Sequence, residues 1–138
     1  MVRLMILLLL GNTLYSQDCD GLSQGVFEFK VGYEKFMIER LDSLQLEFND
    51  NLGLVYLNKI EKVSECEYNL RRYKIIQNEP LLPISMDDVL NVKVYKVEGN
   101  DFYITATLIR TSIIMEGVLT KIGDEVSDRF KTILELEK

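Results

Sequence analysis

The sequence predicts a mainly β protein: an antiparallel meander of about eight strands, curled into a barrel-like or strongly curved sheet, with one C-terminal helix. Three observations carry this. Polar and apolar residues alternate through Gly25–Val31, and again where Cys66, Tyr68 and Leu70 face one way and Glu65, Glu67 and Asn69 the other. Turn residues recur at short intervals, at Asp42-Ser43, at Asn49-Asp50-Asn51-Leu52-Gly53 and at Gly99-Asn100. Both prolines, Pro80 and Pro83, fall in one stretch outside the apolar runs, so no strand interior is interrupted.

Taken in order, Val26, Glu28 and Lys30 alternate with Phe27, Phe29 and Val31, the pattern of a half-buried strand, and Gly32-Tyr33-Glu34 turns the chain. Residues 35–41 and 44–49 form a hairpin about Asp42-Ser43. Residues 54–63 and 65–76 read as two longer strands. The segment 77–89 is a loop, with at most one helical turn around Ser85-Met86-Asp87-Asp88. Strands resume at 90–97 and 102–109, joined through Gly99-Asn100, a two-residue hairpin signal, and 112–122 completes the group. From there Val126, Phe130, Ile133 and Leu134 recur at helical spacing, which predicts a helix over 124–138 with Asp124 as its N-cap. Closing the meander into a lipocalin-like barrel removes exposed strand edges; an open, curved sheet covered by the helix satisfies the same pattern.

Residues 1–16 read as a signal peptide. Arg3 supplies a positive start, residues 4–10 an unbroken apolar run, Gly11 a breaker and Ser16 a small residue before Gln17. Seven apolar residues fall well short of the roughly 20 that span a bilayer, so no stable membrane span is expected after cleavage. Residues 17–138 then form a single domain in the periplasm or outside the cell. Lipidation of Cys19 is the alternative, but Ser16-Gln17-Asp18 suits such a site poorly. In an oxidising compartment the chain's two cysteines, Cys19 and Cys66, are expected to bridge, tying the N-terminus to the strand that carries Tyr68 and Leu70.

Composition narrows the chemistry. The formal charge is -6, with 16 basic and 22 acidic residues interspersed, so no basic track is offered to nucleic acid. Histidine is absent, which removes the commonest general base and the commonest transition-metal ligand. There is no Gly-x-Ser-x-Gly elbow. An enzyme is therefore not expected, and neither is a cofactor. Glu65 with Glu67, and the cluster Asn49-Asp50-Asn51, lack the spacing of a calcium loop and serve better as a solvated face and a turn.

A two-residue turn at Asp42-Ser43 sets Leu41 against Leu44, Arg40 against Gln45, Glu39 against Leu46 and Ile38 against Glu47, so Arg40, Gln45 and Glu47 share a face. The ordinary expectation for such a trio is a solvated cross-strand ion pair, contributing about 0–1 kcal/mol. The alternative is that this face lines the inside of the sheet. Arg40, Gln45, Glu47 and Tyr68 are then the candidate ligand-binding residues, with the guanidinium receiving an anionic or polar group. Tyr33, Tyr56, Tyr73, Tyr95 and Tyr103 either join such a pocket or pack as ordinary strand residues.

Cys19, Gly25-Val26-Phe27, Ile38-Glu39-Arg40, Gln45-Leu46-Glu47 and Cys66-Glu67-Tyr68-Asn69-Leu70 together resemble small secreted proteins of the Bacteroidota whose function is uncharacterised. Lys62 stands where an aromatic residue precedes the cysteine in that pattern. The resemblance implies export and β-structure, and no particular reaction or ligand. The functional expectation is a non-enzymatic exported domain that binds a small apolar or amphipathic ligand or an envelope protein. A carboxylate-based hydrolase and a structural envelope protein without a pocket are the alternatives.

Overall fold

The computed structural model describes residues 18–137. The expected signal peptide and the expected start at Gln17 lie outside them. Eight strands follow one another: β1 (Gly25–Val31), β2 (Glu34–Leu41), β3 (Leu44–Asn49), β4 (Leu54–Ser64), β5 (Glu67–Asn78), β6 (Val89–Glu98), β7 (Asp101–Leu108) and β8 (Ile113–Gly123). Each pairs antiparallel with the next, and β1 also pairs with β8, so the meander is a closed barrel rather than an open sheet. Among the described residues, closure leaves no edge strand to recruit another chain.

Turn chemistry fixes the registers. Asp42 and Ser43 both adopt positive φ, 53° and 62°, the backbone of a two-residue hairpin whose twist matches that of its strands. Leu41 pairs with Leu44, Arg40 with Gln45, Glu39 with Leu46 and Ile38 with Glu47, as expected. Gly99, at φ 57°, opens the equivalent turn between β6 and β7. The proline-bearing segment 79–88 contains a turn at Met86-Asp87 and no helix.

Alternation sorts side chains into a lumen and an outer face. Phe27, Ile38, Tyr68, Leu70, Val92, Ile104, Ala106 and Leu119 fill one apolar cluster inside the barrel. Space for it depends on Gly117, where an added Cβ would run into the Phe29 ring. A second cluster lies outside the sheet, where Leu46, Val55 and Leu57 are covered by Val126 and Phe130.

The covering element is α1 (Asp128–Leu136). It starts later than expected: the N-cap is Ser127, not Asp124, and its Oγ accepts from the Phe130 amide at 3.2 Å. Glu39, buried on the outer face of β2, explains the shift. Its carboxylate accepts from both the amide and the hydroxyl of Ser127, which fixes where the helix begins. The apolar spacing of Val126, Phe130, Ile133 and Leu134 is used as predicted.

The two cysteines form the expected bridge, Cys19–Cys66, with Cα atoms 5.4 Å apart. It holds a single 3-10 turn, Asp20–Leu22, across one end of the barrel, where Leu22 is buried. That end also carries the turns at 42–43, 65–66 and 99–100. The opposite end carries the loops 32–33, 50–53, 79–88 and 109–112, and among the described residues no comparable segment is held across it.

Candidate functional site

The polar face of the β2–β3 hairpin points into the barrel. Arg40 is 1% exposed and Gln45 is fully buried, which corrects the expectation of a solvated ion pair. Arg40 donates from Nε to Gln45 Oε1 at 2.9 Å, from Nη1 to the Leu22 carbonyl at 3.0 Å and from Nη2 to the Tyr68 hydroxyl. Its guanidinium also lies 4.5 Å from the Tyr68 ring centre and 5.2 Å from that of Phe27. A buried cation is tolerable only when its donors are met, and here all three nitrogens are engaged.

From Gln45 the polar chain continues. Gln45 Nε2 donates to Glu47 Oε2 at 3.1 Å, and Asn58 Nδ2 to the same oxygen at 3.4 Å. Register explains the meeting. Arg40 pairs with Gln45, Gln45 with Asn58 and Asn58 with Arg72, so one cross-strand row spans β2 to β5, and Glu47 pairs with Tyr56 beside it. Because strands tilt against a barrel's axis, a row perpendicular to them climbs along it. This row climbs from the capped end, at Arg40, to the open end, at Arg72.

At the open end a cavity of about 240 Å³ is lined on one side by Glu47, Tyr56, Asn58, Arg72 and Asp88, and on the other by Phe29, Leu70, Leu90, Leu108 and Met115. A smaller space of about 40 Å³ lies deeper in the lumen and shares Phe29, Glu47, Leu70, Leu90 and Met115 with it. The Arg72 guanidinium stacks 4.2 Å from the Tyr56 ring centre. Its Nε and Nη1 atoms are closed off from water and meet no acceptor among the described residues. Asp88 is engaged by Arg110, Nε to Oδ1 at 3.0 Å.

Burial holds the Glu47 carboxyl above the ordinary value of 4.5; hydrogen bonding from Tyr56, the charge of Arg72, the Gln45 amide and the charge of Arg40 act against that rise. Burial also pushes the Tyr56 hydroxyl far up, reinforced by the neighbouring Glu47 charge, so Tyr56 stays a neutral donor.

A second cavity, about 230 Å³, lies at the capped end between the Asp20–Leu22 turn and the end of β4. Arg40 and Tyr68 form part of its wall, but their polar atoms bond each other, and Lys62 at its edge is paired with Glu65 at 2.9 Å. Its polar groups leave a ligand little to satisfy.

All four sequence-predicted residues therefore converge in the lumen, with different standing. Arg40, Gln45 and Tyr68 saturate one another, and only Glu47 reaches the mouth cavity. The sequence pattern does not single out Arg72, Asn58 and Tyr56 as a group. The signal for Arg72 lay in the alternation of Cys66, Tyr68 and Leu70, which reaches it in one more step of two. Of the other tyrosines, Tyr33, Tyr73 and Tyr95 are exposed and Tyr103 packs beside Tyr95, ring centres 6.3 Å apart. Glu67 accepts from Asn91 at 3.1 Å and Asn49 bonds Glu34 at 2.8 Å. No group of acidic, Cys or His residues among those described is arranged to hold a metal ion. No helix among them is long and apolar enough to cross a membrane.

Comparisons with models of protein families, with curated proteins and with solved structures find no match for this chain.

Proposed function

We propose that the protein is an exported, non-enzymatic binding domain that takes a small amphipathic ligand through the open end of its barrel. The observation that carries this reading is the mouth cavity, lined by both polar and apolar residues, sharing part of its wall with the space inside the lumen and lying opposite the disulfide-held cap. Clefts with apolar walls and a few convergent polar groups are the usual form of small-molecule sites. At about 30 Å³ per water, 240 Å³ holds roughly eight waters, so the ligand is small. The Cys19–Cys66 bridge supports an oxidising compartment.

One observation favours a carboxylate-based hydrolase instead. Glu47 is a carboxylate of raised pKa in a cleft, the setting of many general acids. Its hydrogen bonds to Gln45 and Asn58 give it a structural use that needs no catalysis.

The test is native mass spectrometry of protein collected from the periplasm without reducing agent. A mass starting at Gln17, two hydrogens below the free-thiol value, is expected, together with a bound small molecule released on denaturation. A full-length mass with two free thiols contradicts export. A ligand-free protein that also gives no NMR shifts at Arg72, Leu90 or Leu108 with any small amphiphile contradicts the binding reading.

A further inference from the structure

Arg72 is the group in the mouth whose bonding is incomplete. Its side chain reaches the lumen through the same alternation that places Tyr68 and Leu70 there, and Tyr56 covers one face of its guanidinium at 4.2 Å. Nε and Nη1 find no acceptor among the described residues. A buried donor left in that state is costly, and more so when it is charged. Arg40, by contrast, has every nitrogen engaged.

Charge points the same way. The lumen and mouth carry two guanidiniums, Arg40 and Arg72, and two carboxylates, Glu47 and Asp88. Asp88 is taken by Arg110 at the rim, and Glu47 receives Gln45 and Asn58. Glu47 acts on Arg72 through its charge, but no carboxylate among the described residues forms a direct ion pair with Arg72, whose Nε and Nη1 atoms keep donors to offer. Facing it across a cavity of about 240 Å³ are Phe29, Leu90, Leu108 and Met115, which offer nothing but apolar contact.

We infer that Arg72 is the anchor for the carboxylate of a small monocarboxylic acid whose short apolar body lies against Phe29, Leu90, Leu108 and Met115. This deepens the binding reading above and rests on it. The guanidinium turns its free nitrogens to the incoming carboxylate, while the Tyr56 ring keeps stacking on its face. A planar two-oxygen anion matches a planar guanidinium. A phosphate dianion matches less well, because a single arginine beside Glu47 cannot balance two charges in a cavity with one apolar wall.

The test uses the disulfide-bonded protein, labelled with 15N, titrated at neutral pH with hexanoate and separately with hexanamide, which keeps the chain and removes the charge. Hexanoate is expected to move the signals of Arg72, including its Nε–H, and of Leu90 and Leu108, and to bind at least about tenfold more tightly than hexanamide. In Arg72→Met the hexanoate affinity is expected to fall to that of hexanamide, with hexanamide little changed. Equal affinities of the two probes for the unaltered protein would overturn the carboxylate assignment and leave the mouth as a ligand site. No shift at mouth residues with either probe would overturn both. Hexanoate binding that persists undiminished in Arg72→Met would move the anchor elsewhere. Should that variant fail to fold, the comparison of hexanoate with hexanamide on the unaltered protein decides alone.

Discussion

Removing Arg40 is the sharpest test of the polar lumen, because its two readings differ several-fold in energy. A solvated ion pair contributes at most about 1 kcal/mol. The structure gives Arg40 three hydrogen bonds from a charged donor, to Gln45, to the Leu22 carbonyl and to Tyr68, at 1% exposure. Arg40→Ala strands all three acceptors and opens a void between the Phe27 and Tyr68 rings. Each of the three stranded acceptors costs about 1 kcal/mol, about 3 kcal/mol together, and the void adds about 1 kcal/mol more. We therefore expect about 4 kcal/mol of lost stability. For a domain of this size each kcal/mol moves the midpoint by about 3–4 °C, so thermal unfolding followed by circular dichroism should shift down by about 12–16 °C. Arg40→Met, which keeps most of the volume but none of the donors, should lose about 2–3 kcal/mol, separating stranded acceptors from the void. A loss below about 1 kcal/mol for Arg40→Ala would refute the reasoning and return Arg40 to the solvent.

Four further outcomes follow from named contacts. Replacing Cys19 and Cys66 by Ala frees a 47-residue separation, and the chain-entropy model gives a loss of about 4 kcal/mol, measurable by urea unfolding; an unchanged midpoint would mean that the N-terminal turn contributes no closure. Glu47 holds its proton more tightly folded than unfolded, so its contribution to stability is full below about pH 4.5 and declines as pH rises through its raised native value. Glu47→Gln, neutral throughout, should remove that decline, so the stability difference between variant and parent should shift in the variant's favour as pH rises across this window; a difference flat with pH contradicts the burial. Gly117→Ala drives a methyl group into the Phe29 ring and should cost about 1–3 kcal/mol, with Phe29→Leu in the same chain recovering part of it. Ser127→Ala removes both the helix cap and a donor to buried Glu39, for a loss of about 1–3 kcal/mol by the same melts.

The barrel was legible in its turns and alternation because those signals are local. Asp42-Ser43 and Gly99-Asn100 set their hairpins wherever the strands end up. Closure was not legible, since the pairing of β1 with β8 joins residues about ninety positions apart and depends on a register shift between Val26 and Phe27 that no local pattern encodes. The polar face misleads for a related reason. On β3, Leu46 and Phe48 make the apolar face and Gln45 and Glu47 the polar one, and a single buried face argues for Leu46 inside and Gln45 in water. Here α1 supplies a second core outside the sheet, which takes Leu46 and leaves the polar face to the lumen. The sign that could have told them apart is the repetition of polarity across neighbouring strands. Arg40, Gln45, Asn58 and Arg72 fall in one register row, and an exposed row has no need to match hydrogen-bonding partners so closely. A row that is polar throughout, satisfied at its capped end and unsatisfied at its open end, is the lining of a lumen rather than a solvated surface, and its unsatisfied last position, Arg72, is the one on which the proposed carboxylate anchor rests.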